Sequence, residues 1–289
     1  MKCYTPCFGC SYYEVAKSEC DEVTLYYDDA DICVDDPVMF LERVQKKKVK
    51  CKLWGDSMAD PSKYVNLKDV MEFSVASQWN YDYFTRAGFH VKGVERRHIF
   101  PVDVSAKRDV LFITVGVSRF FDRKNLSLPR EMRVRSSTII VGNMMKLKAL
   151  RDGKLVPVDE EYYDYPAFAL HKEVLHRLYA RAHYYLALSV SEGFGLPPIE
   201  ASYHGTVPVY VNGHAYRENL VGIPIDVKDE YTVSVDGYHF RVWEPDLRHL
   251  KSVIDEIKRG EMKEREADLR EKVKQNARRF LSEGLRPRL

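Results

Sequence analysis

Four runs of the chain, Val110–Gly116, Thr138–Gly142, Tyr185–Ser189 and Val207–Val211, are apolar and β-branched-rich and show no alternation of polar and apolar positions. A strand that is hydrophobic at every position has no wet face, and sheets buried on both faces are parallel sheets flanked by helices. Helical stretches lie between several of the runs, notably His171–His183 and Pro198–His204. The second half is therefore expected to form a doubly wound α/β sheet. Further on, Leu250, Val253, Ile254 and Ile257 recur on one helical face, and a helix after Gly260 carries Leu269, Val273, Ala277, Phe280 and Leu281.

The first hundred residues read as shorter strands between helices. Val23–Tyr27 and Asp31–Val34 are expected strands, and Pro37–Gln45 is an expected helix with Val38, Leu41 and Val44 on one face. Lys48–Leu53 alternates strictly, which predicts a half-exposed strand with lysines on its wet face rather than a membrane-docking patch. Val70–Ala76 is another strand, Ser77 caps a helix through Trp79, Tyr83 and Phe84, Gly88 closes it, and His98–Asp103 is the last strand. The polar stretch Ser105–Asp109 reads as a linker. We expect a first domain over 1–104, a second over 105–270, and a helix in 271–289 packing back toward the first.

With 45% hydrophobic and 30% charged residues over 289 positions, the chain has the composition of a folded protein with a heavily ionised surface. Its 45 Lys and Arg nearly balance 43 Asp and Glu, which leaves no global field for a nucleic acid partner. No apolar run approaches the roughly 20 residues that cross a bilayer, and the start has no apolar core of a signal peptide. The expectation is a cytoplasmic protein with no transmembrane segment; a homodimer is left open. Lys, Arg, Glu and Tyr are plentiful while Gln and Thr are scarce, a balance that suggests a thermostable protein. All six cysteines fall in the first fifth of the chain. Cys3, Cys7 and Cys10 have the C-x3-C-x2-C spacing that resembles the iron–sulfur triplet of radical S-adenosylmethionine enzymes. Unlinked thiols are the preferred reading, with a disulfide, a zinc site or a cluster as alternatives. The histidines show no metal-ligand spacing; His171, His176 and His183 are expected on or beside one surface helix, and no metal is expected.

The richest stretch is Ser191-Glu192-Gly193-Phe194-Gly195-Leu196-Pro197-Pro198-Ile199-Glu200-Ala201, which follows a strand and opens a helix at the carboxyl edge of the sheet. Its glycines let backbone approach a ligand, its prolines fit a first helical turn, and the N–H groups of Phe194 to Leu196 can face an anion. Glu192 in the loop and Glu200 one turn into the helix could hold hydroxyls at two ends of a nucleotide sugar; read alone, they are a capping and a solvated glutamate. After the strand Val110–Gly116, Arg119 and Lys124 could supply a fork and a point charge for phosphates, or form an ordinary basic loop. Tyr162–Pro166 could stack on a base or pack on the sheet.

The stretch Glu192 to Ala201, followed by Gly205-Thr-Val-Pro-Val, resembles the E-x7-E motif of family 4 retaining glycosyltransferases, which have the GT-B fold of two Rossmann-like domains facing a cleft. Arg119 and Lys124 match that family's G-R-x4-K-G pattern, Leu178–Ala182 resembles its helix before the motif strand, and Asn276–Phe280 resembles its closing helix. The likeness covers 110–280 well and 70–104 loosely. It implies a GT-B-like α/β chain with a reduced N-terminal acceptor domain. It also implies a metal-independent, retaining transfer of a hexose from a nucleoside-diphosphate sugar, UDP or GDP type, to a hydroxyl of a glycan, lipid or protein. By the same likeness Arg119 and Lys124 would neutralise the diphosphate, Glu200 would bond the ribose and Glu192 would contact the sugar. Backbone at Gly193, Phe194, Gly195 and Leu196 would hold the donor. No separate cofactor is implied. The family's middle-strand His is absent; Leu53-Trp54-Gly55-Asp56-Ser57 offers Asp56 in its place or a plain loop aspartate, and Asn125 stands where Gly is usual. The alternative is a module that binds a nucleotide sugar and transfers nothing.

Overall fold

The computed structural model describes residues 1–7, 10–45, 49–69, 72–95, 97–118, 120–144, 148–158, 163–167 and 170–281. They form two compact α/β units, one over 1–98 and one over 99–281.

The first unit is built on a six-stranded parallel sheet in the order β2-β1-β3-β4-β5-β6. In chain order it runs β1 (Lys2–Tyr4), α1 (Ser11–Glu19), β2 (Glu22–Thr24), β3 (Ile32–Val34), α2 (Pro37–Val44), β4 (Lys52–Gly55), β5 (Phe73–Val75), α3 (Gln78–Arg86) and β6 (Val91–Val94). Asp36 caps α2 by accepting from the N–H groups of Val38 (2.9 Å) and Met39 (3.2 Å), and Ser77 caps α3 by accepting from Asn80 (3.1 Å). These caps satisfy amide groups that the first helical turn leaves orphaned.

Several expectations are corrected here. The alternating strand begins only at Lys52, and the expected residues 70 and 71 lie outside the described residues. His98–Asp103 is not a strand; the sheet instead closes with β6, which the sequence reading passed over because Val91-Lys92-Gly93-Val94 is short and glycine-interrupted. The cysteines are not unlinked thiols: Cys3–Cys20, Cys7–Cys10 and Cys33–Cys51 are disulfides. No group of three metal-ligating side chains occurs among the described residues.

The second unit carries a six-stranded parallel sheet in the order β11-β8-β7-β12-β13-β14. Its elements are β7 (Val110–Ser118), α4 (Leu128–Glu131), β8 (Thr138–Met144), a hairpin of β9 (Lys148–Arg151) and β10 (Lys154–Pro157), β11 (Tyr165–Pro166), α5 (Lys172–Arg181), β12 (Ala182–Ala187), α6 (Leu196–Tyr203), β13 (Val207–Val211), α7 (Tyr216–Asn219) and β14 (Ile223–Ile225). A second hairpin, β15 (Val227–Val235) with β16 (Tyr238–Pro245), precedes α8 (Leu247–Arg259) and α9 (Lys263–Arg278).

One core joins the sheet residues Phe112, Leu186 and Val209 to Leu250, Ile254 and Ile257 of α8. That helix starts on an Asp246 cap, whose carboxylate accepts from Arg248 at 2.8 Å, and stops at Gly260 in the left-handed region. On α9, Val273 and Ala277 are buried and the helix packs on α6 and β13, while Leu281 is exposed rather than buried. His171, His176 and His183 lie on or beside α5, as expected, and His176 is fully buried there, with Nδ1 2.7 Å from His204 Nε2. No helix among the described residues is long and apolar enough to cross a membrane.

The disulfides generate a test. Cys33–Cys51 spans 18 positions and both residues are buried, so the Cys33→Ala/Cys51→Ala chain should lose about 2–4 kcal/mol of unfolding free energy. Guanidinium unfolding of the oxidised protein, the reduced protein and the variant checks this; identical midpoints for all three would show that the bridge adds nothing.

Candidate active site

In the second unit the chain builds β7, then β8 and β11 to one side, then returns to lay β12, β13 and β14 on the other. The order reverses between β7 and β12, and loops leaving neighbouring strands there diverge to opposite faces and open a crevice at the carboxyl edge. The ladder between the two strands runs to Ile113↔Tyr185. Above it the Tyr185 hydroxyl takes over, accepting from Val115 N–H at 3.1 Å and donating to Val115 C=O at 2.8 Å.

The loop after β7 is rigidly organised. Asp122 is fully buried and its carboxylate accepts from Leu126 N–H (2.8 Å), Ser127 N–H (2.9 Å) and Ser127 Oγ (2.7 Å). Asn125 has φ of +53°, a left-handed conformation that glycine adopts freely and asparagine tolerates better than most, which accounts for Asn at the position where the resembled family has Gly. Its side-chain amide donates to Leu188 C=O at 2.8 Å, and Val190 N–H donates to Arg123 C=O at 2.9 Å, so the loops after β7 and β12 are bonded together.

That junction brings Arg123 and Lys124 onto Glu192. Arg123 Nη1 lies 2.8 Å from Glu192 Oε1 and also bonds Ser191 C=O, and Lys124 Nζ bonds the same Oε1. The Lys124 stem lies over Gly116, where an added Cβ would sit 2.6 Å from its Cγ. All three side chains are about nine-tenths buried. Burial alone would raise the Glu192 pKa, but the charges of Arg123 and Lys124 outweigh it and hold the carboxyl down at about 2. His214, after β13, is pushed down to about 4 by burial, so its imidazole is neutral near pH 7. Its bonds fit one tautomer, with Nε2 donating to Ser189 C=O at 2.9 Å and Nδ1 accepting from Tyr216 N–H at 3.4 Å.

Gly195 caps the start of α6, and its φ of +91° and the close approach of the Tyr216 ring exclude any side chain there. Pro197 and Pro198 stand in the first turn of the helix, where missing N–H groups cost nothing. The Phe194 side chain is core, packed edge-on against Phe280, while its carbonyl accepts from Asn219 Nδ2 at 2.9 Å. Glu200 is buried beside Tyr179; burial, then the Glu200 charge, holds that phenol well above its usual range. Tyr185 lies in the field of both Glu192 and Glu200. Glu192, Lys124, Gly193, Phe194, Gly195, Leu196 and Glu200 thus belong to one strand-edge region of one unit, whereas Arg119 and Tyr162 lie outside the described residues.

Asp56 belongs to the other unit. It follows β4, and its carboxylate is ion-paired at 2.8 Å with the buried Arg97 guanidinium. The sequence reading missed Arg123 and His214. The Arg123 charge was visible beside Lys124, but only the turn at Asn125 decides which way it points. A lone His after a strand carries no spacing signal.

No family profile matches the sequence. A protein of Sulfolobus islandicus filamentous virus (isolate Iceland/Hveragerdi), provisionally named glycosyltransferase 41, is 45% identical over 97% of this chain and 83% of its own length. Among solved structures, TarM superposes with a TM-score of 0.54 at 14% identity over 92% of this chain and 54% of that one. The GtfA/B complex superposes with a TM-score of 0.51 at 13% identity over 93% and 56%. The chain spans about half the length of these solved proteins, and at such identity the likeness speaks for the fold: α/β with parallel sheets, of GT-B type.

The ion pair predicts a pH dependence. Because the folded Glu192 pKa of about 2 lies below the 4.5 of an ordinary glutamate, its contribution to stability is complete above about pH 4.5 and is lost as pH falls toward 2. Glu192→Gln, which keeps an oxygen for Arg123, should be less stable than wild type by about 2–4 kcal/mol at pH 7, with the gap closing near pH 2. Urea unfolding across that range measures it; a gap that stays constant with pH would disprove the ionised pair.

Proposed function

The chain belongs to the same family of glycosyltransferases as the filamentous-virus protein it matches, and from that premise we propose that it transfers a hexose from a nucleoside-diphosphate sugar to a hydroxyl acceptor with retention of anomeric configuration. The observation that carries this reading is the grouping of Lys124, Arg123 and Glu192 at the strand-order reversal, just before the glycine–proline start of α6. Open α/β sheets bind ligands at that place, and a helix start favours an anion.

In this reading the chain belongs to the E-x7-E group of family 4 enzymes, with a reduced N-terminal domain on the acceptor side. Lys124, with Arg119, meets the diphosphate and the negative charge that grows on it as the glycosidic bond to the donor breaks. Fixed positive charge at a developing anion is a term worth roughly 3–4 kcal/mol per group removed, and it requires no metal. Glu200 bonds the ribose hydroxyls. Glu192, ionised and buried, bonds the sugar near the reacting carbon, and backbone at Gly193, Phe194, Gly195 and Leu196 closes on sugar and phosphates. The acceptor hydroxyl attacks from the face the diphosphate leaves, forming the new bond to the anomeric carbon and giving its proton to the departing diphosphate oxygen; the acceptor is a glycan, lipid or protein.

Two experiments test the proposal. Lys124→Ala should weaken binding of the nucleoside diphosphate by about 1.5–3 kcal/mol while leaving the bare nucleoside nearly unchanged. Equal losses in titration calorimetry would remove lysine from the phosphate site. Turnover should survive excess EDTA, and NMR of the product should show the donor's anomeric configuration. An inverted product, or activity lost to EDTA and restored by Mn²⁺, would overturn the mechanism, and donor binding without transfer to any acceptor would make the chain a binding module.

A further inference from the structure

Two cations meet one oxygen of Glu192, and they are not equivalent. Arg123 is 7% exposed, and its Nη1 is occupied by the loop itself: Glu192 Oε1 at 2.8 Å, Ser191 C=O, and Ser189 Oγ at 3.3 Å. Its own backbone is tied to the same loop, the carbonyl accepting from Val190 N–H at 2.9 Å and from Ser189 Oγ at 3.1 Å. A guanidinium so placed is a fixed planar fork serving residues 189–192. Lys124 reaches the same oxygen on a flexible stem over Gly116 and ends in a compact ammonium with three rotatable donors, which can divide between a carboxylate and a phosphate.

We propose that Arg123 is a positioning residue of the transfer site, holding the Glu192 carboxylate ionised and aimed while Lys124 turns donors toward the diphosphate. The inference rests on the donor-site reading above. A diphosphate drawn to Lys124 and Arg119 brings negative charge beside Glu192, and a carboxylate that has to share Lys124 with that anion is pushed toward taking up a proton. A second cation fixed on the loop side removes that conflict. Among the described residues the other titratable groups facing Glu192 do not supply it: His214 after β13 is neutral, the Tyr216 phenol is buried and protonated, and Tyr185 of β12 donates to Val115. Glu200 of α6, which shares the Tyr185 environment, adds negative charge.

The test uses Arg123→Met, Arg123→Lys, Glu192→Gln and the Arg123→Met/Glu192→Gln double variant of the full chain. In urea unfolding between pH 2 and 7, Arg123→Met should move the acid loss of stability upward by about 1–2 pH units, Arg123→Lys should restore most of it, and the double variant should show no such shift. In calorimetry with UDP and GDP, Arg123→Met should keep the wild-type affinity within about threefold. Its kcat should fall about 10- to 100-fold with an acid limb displaced to higher pH. An unmoved acid limb, or a loss of diphosphate affinity as large as that of Lys124→Ala, would overturn the proposal. If the wild-type chain binds neither diphosphate, the donor-site reading falls instead, and the unfolding series still decides whether Arg123 governs the ionisation of Glu192.

Discussion

The second unit is organised around a buried carboxylate between two buried cations. Taking Glu192, Arg123 and Lys124 out of water costs several kcal/mol per ion, and only close pairing with further hydrogen bonds offsets it. The surroundings meet that demand. Asp122 fixes the turn that delivers both cations, Asn125 and Val190 bond the two loops, and His214 holds the Ser189 carbonyl. Removing Glu192 would leave two cations facing each other in the interior, and removing either cation would leave the other alone on the carboxylate, so the ion triad and the two loops that carry it form a single cooperative piece.

Hairpins that no strand pattern announced reinforce this piece. The Tyr238 and Phe240 rings of β16 pack on Phe120, and Phe240 also meets Phe121, covering the turn that presents Arg123. Glu244 ties the two hairpins together, accepting from Tyr231 at 2.6 Å within β15–β16 and from Asp152 N–H at 2.7 Å beyond β9. Arg151 of β9 reaches Asn125 Oδ1 at 3.0 Å, which braces the left-handed residue from its side-chain end. The loops that carry Arg123, Lys124 and Glu192 are thus buried and braced from several directions, which keeps their charges fixed in place.

The first unit solves a different problem. Its strands are three or four residues long, so each contributes few ladder bonds and little apolar surface. Cross-links compensate for the thin sheet: Cys3 on β1 is joined to Cys20 just after α1, and Cys33 on β3 to Cys51 just before β4. A bridge acts mainly by narrowing the unfolded ensemble, so it stabilises a unit with a small core where further packing cannot.

The amino-acid sequence alone determined the doubly wound second sheet, because strands buried on both faces are apolar without polar alternation, and Val110–Gly116, with Thr114 its one polar side chain, and Val207–Val211 show that pattern wherever the rest of the chain goes. It also determined α6 and the placement of the Glu192–Glu200 stretch at a strand's carboxyl end, since glycine and proline act through local backbone geometry. Short strands such as β6, and the hairpins, were decided by tertiary contacts, because four residues carry too little periodicity to outweigh packing. The same holds for the cysteines: spacing is one-dimensional, while a disulfide needs two side chains brought within bonding reach by the fold. The identity of the cation that grips Glu192 was likewise settled in three dimensions. Arg123 and Lys124 are neighbours in sequence, and only the turn at Asn125, bonded across to the loop after β12, places both on one carboxylate oxygen.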